Sequence, residues 1–111
     1  MIRNEKKNHM LLFYITFPSK NEATKIIEKL IQENHIACAN ILSSGTSLFK
    51  WKGKLKKGKE TFCILKTSNL KKRSFLRRIA LLHPYDIPCL VELKTTSINS
   101  AYKKWLLQEL G

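Results

Sequence analysis

The chain has 111 residues, which is enough for one domain and hardly for two. Hydrophobic residues make up 43% of it, close to the globular average, and this excludes wholesale disorder. Lys and Arg number 21 against 8 Asp and Glu, a formal net charge of +13. This excess has two interpretations, a polyanionic partner or a general decoration of exposed positions, and the spread of the positive residues favours the second.

The three cysteines and the N-terminal composition predict the compartment. Cys38, Cys63 and Cys89 are odd in number and form no C-x-x-C pair, which argues against a disulfide framework and a zinc knuckle and favours a reducing environment. The apolar run over residues 10–17 is too short to cross a membrane, and no small-residue cleavage site follows it. We therefore predict a soluble, cytoplasmic protein without a membrane partner.

The first part of the chain predicts a tail and a buried strand. Residues 1–9 are polar and basic, as in a flexible tail, so that a single domain would span residues 10–111. Residues 10–16 are continuously apolar, which suits a central strand covered on both faces, and Pro18 ends the run.

A helix is predicted directly after this strand. Ser19 and Glu22 form the S-x-x-E pattern of a capping box, and Asn34 is a plausible left-handed stop. The apolar residues between these ends recur at helical spacing and define one buried face. They are Ala23, Ile26, Ile27, Leu30 and Ile31.

The middle of the chain predicts an extended β-hairpin. Strand-like residues 36–42 lead through a break at residues 43–45 into an alternating segment that ends at Trp51, and a further strand covers residues 60–67. Two Gly-containing turns are predicted in this hairpin, at residues 52–53 and 56–59. We expect Trp51, near the tip of the arm, to make a subunit contact.

The last part of the chain completes a recognisable order of elements. A helix capped by Ser68 or Asn69 should end at His83, because the residue before a proline avoids the α region. A strand over residues 89–95 and a last helix follow, and the residues of this helix predicted to point inward are Ala101, Tyr102, Trp105, Leu106 and Leu110. The order β-α-β-β-α-β plus a helix predicts an α+β, ferredoxin-like sandwich with an extended β-hairpin and a C-terminal helix. Strands 1 and 3 are too apolar to face water on either side, which predicts an oligomer packed sheet against sheet.

Residues 83–88 form a rigid, proline-bracketed link that carries His83, Tyr85 and Asp86. A neutral imidazole suits Cu(II) or Zn(II), and the thiol of Cys89, which follows directly, would complete a soft pair suited to Cu(I). The alternatives are a corner histidine that donates to a backbone carbonyl and a cysteine that acts as a small buried hydrophobe. No pattern of a nucleophile with its base, or of paired carboxylates, predicts an enzyme.

Five motifs occur along nearly the whole chain. They are residues 37–41 (ACANI), 47–54 (SLFKWKGK), 64–67 (ILKT), 83–88 (HPYDIP) and 102–106 (YKKWL). In this order and spacing they resemble the CutA family of divalent-cation tolerance proteins. The resemblance implies a ferredoxin-like protomer in a homotrimer, related in architecture to PII signalling proteins. It also implies a cytoplasmic, non-enzymatic protein linked to copper and other divalent metals.

The resemblance implies a metal site that uses the histidine of the H-P-Y motif, here His83. Some members add a cysteine near the end of the first strand and a second histidine before the motif, positions that Ile15 and Leu82 occupy in this chain. Cys89 stands where the family usually has an acid. We predict His83 and Cys89 as the ligands of copper or another divalent metal ion.

A second function remains open at this point, that of a PII-like sensor of a small anion or nucleotide in an inter-subunit cleft. The resemblance places Lys66 near such a cleft, and we predict Lys66, Tyr85 and Trp51 as ligand-binding residues. A ferredoxin-like sheet also serves RNA-recognition domains, but their aromatic-rich third-strand segment is missing here, where Phe62 stands alone. We therefore predict no specific nucleic-acid partner.

Overall fold

The computed structural model describes residues 7–111 as an antiparallel four-stranded sheet with three helices. In chain order the elements are β1 (Met10–Phe17), α1 (Lys20–Gln32), β2 (Cys38–Trp51), β3 (Lys54–Ser68), α2 (Lys72–Leu82), β4 (Leu90–Leu93) and α3 (Ser100–Leu110). The strands lie in the order β2-β3-β1-β4. This arrangement confirms the predicted ferredoxin-like class, the extended hairpin and the C-terminal helix.

The core lies between one face of the sheet and the helices α1 and α2. Alternate residues of β1 and β3 point to this face, because successive side chains of a strand alternate between its two sides. The buried cluster consists of Leu11, Phe13, Ile15, Phe17, Ala23, Ile27, Leu30, Ile36, Cys63, Leu65, Phe75 and Ile79. Cys63 is thus a core residue, and burial raises the pKa of its thiol to about 11.

Helix α1 begins and ends where the sequence predicts. The hydroxyl of Ser19 accepts a hydrogen bond from the backbone N–H of Glu22 at 3.1 Å, and Asn34 takes a left-handed φ of 62°. Ile31, at the margin of the predicted apolar stripe, stays exposed.

The hairpin of β2 and β3 is longer and more regular than the sequence predicts. The break at residues 43–45 is a shift of register between Ile41 and Ser44, and the strand continues beyond it. The turn predicted at residues 56–59 is wrong, because β3 runs through Gly58, which pairs with Ser47. Backbone hydrogen bonds to β2 hold this polar, glycine-containing stretch in an extended conformation, although its side chains are mostly exposed to solvent.

A two-residue turn joins the two arms, as predicted. Lys52 and Gly53 both have positive φ, 52° and 79°, the combination that a type I′ hairpin turn requires. Trp51 and Lys54 pair directly across it.

Helix α3 covers one end of the second face of the sheet, which we call the open face. It packs on β3 and β1 and buries Leu106 and Leu110, while Trp105, predicted inward, is 41% exposed. Helix α2 begins at Lys72, after a turn over residues 69–71, and the Ser68 hydroxyl accepts from the Lys71 N–H within that turn. Strand β4 is shorter than predicted and comprises only residues 90–93.

Most of the tail predicted at residues 1–9 lies outside the described residues. Within residues 7–9, the backbone of His9 donates to the side-chain oxygen of Asn69 and accepts from its backbone N–H. None of the helices in residues 7–111 is long and apolar enough to cross a membrane.

Candidate functional site

A solvent-open cavity of about 720 Å³ lies between the hairpin and the link that follows α2. Its size is typical of sites that take small molecules. The lining residues come from β1 (Tyr14, Thr16), the hairpin (Ser47, Leu48, Phe49, Trp51, Gly58, Lys59, Glu60), the link (Pro84, Tyr85, Asp86, Ile87) and the residue that follows it, Cys89. Two of the predicted ligand-binding residues, Tyr85 and Trp51, therefore share one cavity.

His83 is buried behind this cavity, with 7% of its surface exposed. Its Nε2 donates to the carbonyl of Thr16 at 2.8 Å, and its Nδ1 accepts from the backbone N–H of Tyr85 at 3.2 Å. A neutral imidazole protonated on Nε2 satisfies both bonds, and the ring stacks on Phe17 with a centroid distance of 4.8 Å. Burial lowers the pKa of His83, and the bond to Thr16 opposes this shift only in part. The contacts are those of the corner histidine given above as the alternative to a metal ligand.

Cys89 lines the cavity with a half-buried side chain. Burial, reinforced by the negative charge of Glu60, raises the pKa of its thiol, which favours the protonated form. Metals bind the thiolate. Among residues 7–111, no group of three or more His, Cys, Asp and Glu side chains could hold a metal ion. Within one chain, His83 and Cys89 thus do not fit a complete metal-binding shell.

Glu60 is a carboxylate in the lining of the cavity, and the sequence analysis missed it. Ser47 donates a hydrogen bond to its Oε1, and the phenol of Tyr85 donates to its Oε2 at 2.9 Å. Burial first, then this bond and the charge of Glu60, raise the pKa of Tyr85 to about 12. One signal could have found it: between Glu33 and Asp86, Glu60 is the only acidic residue in a stretch rich in lysine.

Lys66 lies away from the cavity, beneath helix α3. Its ammonium donates to the phenol of Tyr102 at 3.1 Å and lies 5.2 Å from the centre of that ring. The Sγ of Cys38 lies 3.3 Å from the same phenol oxygen. Cys38 thus faces α3. Lys66 is not brought together with Tyr85 and Trp51 in one chain.

Comparisons with known proteins agree along almost the whole chain. A family model described as CutA1 divalent ion tolerance protein matches residues 11–109. The "Divalent-cation tolerance protein CutA" of Pyrococcus horikoshii is 38% identical over 100 residues, which cover 90% of this chain and 97% of that protein.

Two solved structures are similar in fold. The crystal structure of CutA1 from Ehrlichia chaffeensis has a TM-score of 0.90 at 30% identity and covers 96% of this chain and 99% of that one. A structure described as the periplasmic divalent cation tolerance protein CutA from Archaeoglobus fulgidus has a TM-score of 0.87 at 27% identity, with 92% and 99% covered.

Proposed function

Because the chain belongs to the CutA1 divalent ion tolerance protein family, we propose that it acts in tolerance to divalent metals, copper among them, as a non-enzymatic homotrimer. The observation that carries this proposal is the family match over residues 11–109, supported by 38% identity to the Pyrococcus protein. We place the protein in the cytoplasm because its three cysteines are unpaired, as in a reducing compartment. We assign it no membrane or specific nucleic-acid partner.

The trimer is supported by apolar side chains that one chain leaves in water. Leu48, Phe49 and Trp51 are exposed along the hairpin, and Val91 and Leu93 are exposed on strand β4, at the edge of the open face. Their burial against further copies would remove this surface from water. Light scattering after size exclusion should give three times the 12.9 kDa of one chain. A monomer at micromolar concentration would contradict the trimer.

For the metal we propose His83 and Cys89 as ligands. Since the imidazole nitrogens of His83 are both hydrogen-bonded, binding requires His83 to release Thr16 or Tyr85, and further ligands must come from solvent or a second copy. We therefore expect weak rather than tight binding of copper by this pair.

Calorimetric titration with copper tests these ligands. His83→Ala and Cys89→Ser should each weaken binding, whereas the controls His9→Ala and Cys38→Ser should titrate like the wild type. Identical isotherms for wild type and His83→Ala would remove His83 from the site. For the physiological role, expression in a bacterial strain that lacks its own family member should restore growth on elevated copper, and no gain in growth would count against the proposal.

The alternative, a PII-like sensor of a small anion or nucleotide, has Lys66 as its main support. That ammonium already contacts Tyr102, so an anion would have to share or displace this contact. A thermal-shift screen of nucleotides and phosphorylated metabolites tests the alternative, with Lys66→Met as the matched variant. Stabilisation of the wild type alone would favour it, and no stabilisation would count against it.

A further inference from the structure

Three of the four arginines of the chain lie within helix α2. The lysines are spread along the sequence, but Arg73, Arg77 and Arg78 fall within one helix. Helix α2 contains no acidic residue, whereas in α1 Glu22 and Glu28 alternate with the lysines. A general decoration of exposed positions accounts for the mixed charges of α1, but it does not account for the single sign of charge on α2.

Two of these arginines are unpaired within the described part of the chain. Arg78 donates to both carboxylate oxygens of Glu33, at 2.8 and 2.9 Å. Arg73 and Arg77 are exposed, and neither takes part in an ion pair within residues 7–111. They lie four residues apart on the same side of α2, a rise of about 6 Å along the helix axis. We call these two side chains the arginine surface.

The arginine surface lowers the stability of the helix that carries it. Like charges four residues apart repel each other, and the helix dipole disfavours a cation in the first turn. Arg73 lies in that first turn, which holds no acidic residue, and the N-cap residue Lys71 makes no side-chain capping bond. Because both arginines are exposed, packing within the chain does not offset this repulsion. A partner that brings negative charge to α2 would do so.

The surroundings of the two arginines favour double-stranded nucleic acid as that partner. A guanidinium matches the oxygens of a phosphate with two parallel hydrogen bonds. The outer side of a helix is convex, which suits an extended partner, since small molecules bind in concave sites. Phe75, the one aromatic residue of α2, is fully buried and cannot stack on an unpaired base. Leu81 is the only large apolar residue exposed on α2, too little to enter a lipid surface.

We propose that the arginine surface binds the backbone phosphates of double-stranded nucleic acid without reading the base sequence. Helices α1 and α2 cover the core side of the sheet, so contacts between copies through the hairpin and the open face leave this surface accessible. The proposal goes beyond the proposed function, since it uses neither the two metal ligands nor the hairpin. It requires no specific nucleic-acid partner, because contacts to phosphates carry no sequence information.

The test measures the binding of a labelled DNA duplex by fluorescence anisotropy, at salt concentrations from about 50 to about 200 mM. Arg73→Gln with Arg77→Gln should weaken binding at least about tenfold at the lowest salt. It should also reduce the slope of log K against log salt by about two, one for each lost phosphate contact. The control Lys25→Gln with Lys29→Gln removes the same charge at the same spacing from exposed positions of α1, and it should weaken binding no more than about threefold. A duplex of unrelated sequence should bind the wild type within about twofold.

Thermal melting separates a loss of binding from a loss of fold. The double arginine variant should melt no lower than the wild type, since it relieves repulsion within α2, and a lower melting temperature would count against the proposal. Equal losses of binding in the arginine and lysine variants would assign the binding to overall charge. Tighter binding to phosphatidylserine vesicles or to polyglutamate than to the duplex, at equal concentration of charge, would assign the surface to another partner. Either result, or no binding of the duplex at about 50 mM salt, would overturn the proposal. None of these outcomes depends on the copper titration or on the mass of the assembly.

Discussion

The imidazole of His83 makes both of its hydrogen bonds only while it is neutral. Its Nδ1 accepts from the Tyr85 N–H, and protonation would turn this acceptor into a donor. Burial lowers the pKa of His83, while Thr16, Glu22 and Glu60 act in the opposite direction without reversing it. In the unfolded chain the same group titrates near its ordinary value of 6.5. The unfolded state therefore binds this proton first as the pH falls, and stability is lost below about that value.

The first prediction is that His83→Gln reduces the loss of stability on mild acidification. Urea midpoints measured at about pH 7.5 and about pH 5.5 bracket the ordinary histidine pKa. The wild type should lose more stability between them than His83→Gln, whatever the stability of the variant at the higher pH. His9→Gln, which changes an exposed histidine, should keep the wild-type loss. An unchanged loss in His83→Gln would show that another group is responsible.

The environment of His83 also shows how far the sequence could predict the site. Pro84 predicts the extended backbone at His83, and the structure has φ −71° and ψ 134° there. The Thr16 carbonyl and the Phe17 ring come from a strand some sixty-seven positions earlier in the chain. No local sequence pattern around His83 predicts these two contacts. Glu60 was missed for the same reason. Its place in the cavity depends on the hydrogen bond from Tyr85, a residue that only the folded chain brings close to it.

At the scale of elements, the hairpin departs furthest from the sequence prediction. Polarity and glycine at residues 56–59 predict a turn, but β2 supplies a continuous row of partners and the strand stays intact. The hairpin contains two strand glycines with opposite surroundings. A Cβ at Gly45 would collide with the Phe62 ring, whereas a Cβ at Gly58 would meet nothing within 4 Å. The Phe62 ring is itself stacked on Tyr14, with ring centroids 6.5 Å apart.

The second prediction compares alanine at these two glycines. Gly45→Ala should lower the free energy of unfolding by about 1–3 kcal/mol, because the Phe62 ring must leave its place against Tyr14. Gly58→Ala should change it by no more than about 1 kcal/mol and in the stabilising direction, since alanine restricts the unfolded chain more than glycine does. Chemical denaturation of both variants gives the comparison. Equal changes in the free energy of unfolding would mean that the Phe62 ring can move away from the new methyl group without loss of stability.

At the scale of the whole molecule, the sequence predicted the order of the elements and a sheet with more apolar side chains than one chain can cover. One chain does leave apolar side chains of the sheet exposed. Helix α3 covers only one end of the open face, and Trp51 remains 45% exposed. The sequence could not say which apolar residues α3 would cover, because its inward side is decided by contact with β1 and β3. Trp105, predicted inward, is only partly covered, with 41% of its surface exposed. The apolar surface left over is concentrated on the hairpin, which is therefore the first place to test the proposed trimer.

The last prediction is that the hairpin holds the trimer together. The double variant Phe49→Ser and Trp51→Ser should shift the mass from three times 12.9 kDa towards one chain, since it removes two aromatic side chains whose burial stabilises each contact by roughly 2 kcal/mol apiece. The control Leu81→Ser alters a residue that is 76% exposed on α2, and it should leave the mass unchanged. A circular dichroism spectrum like that of the wild type would show that the double variant remains folded. If the folded double variant stayed trimeric, the contacts would have to lie elsewhere, with Val91 and Leu93 of β4 as the next residues to change.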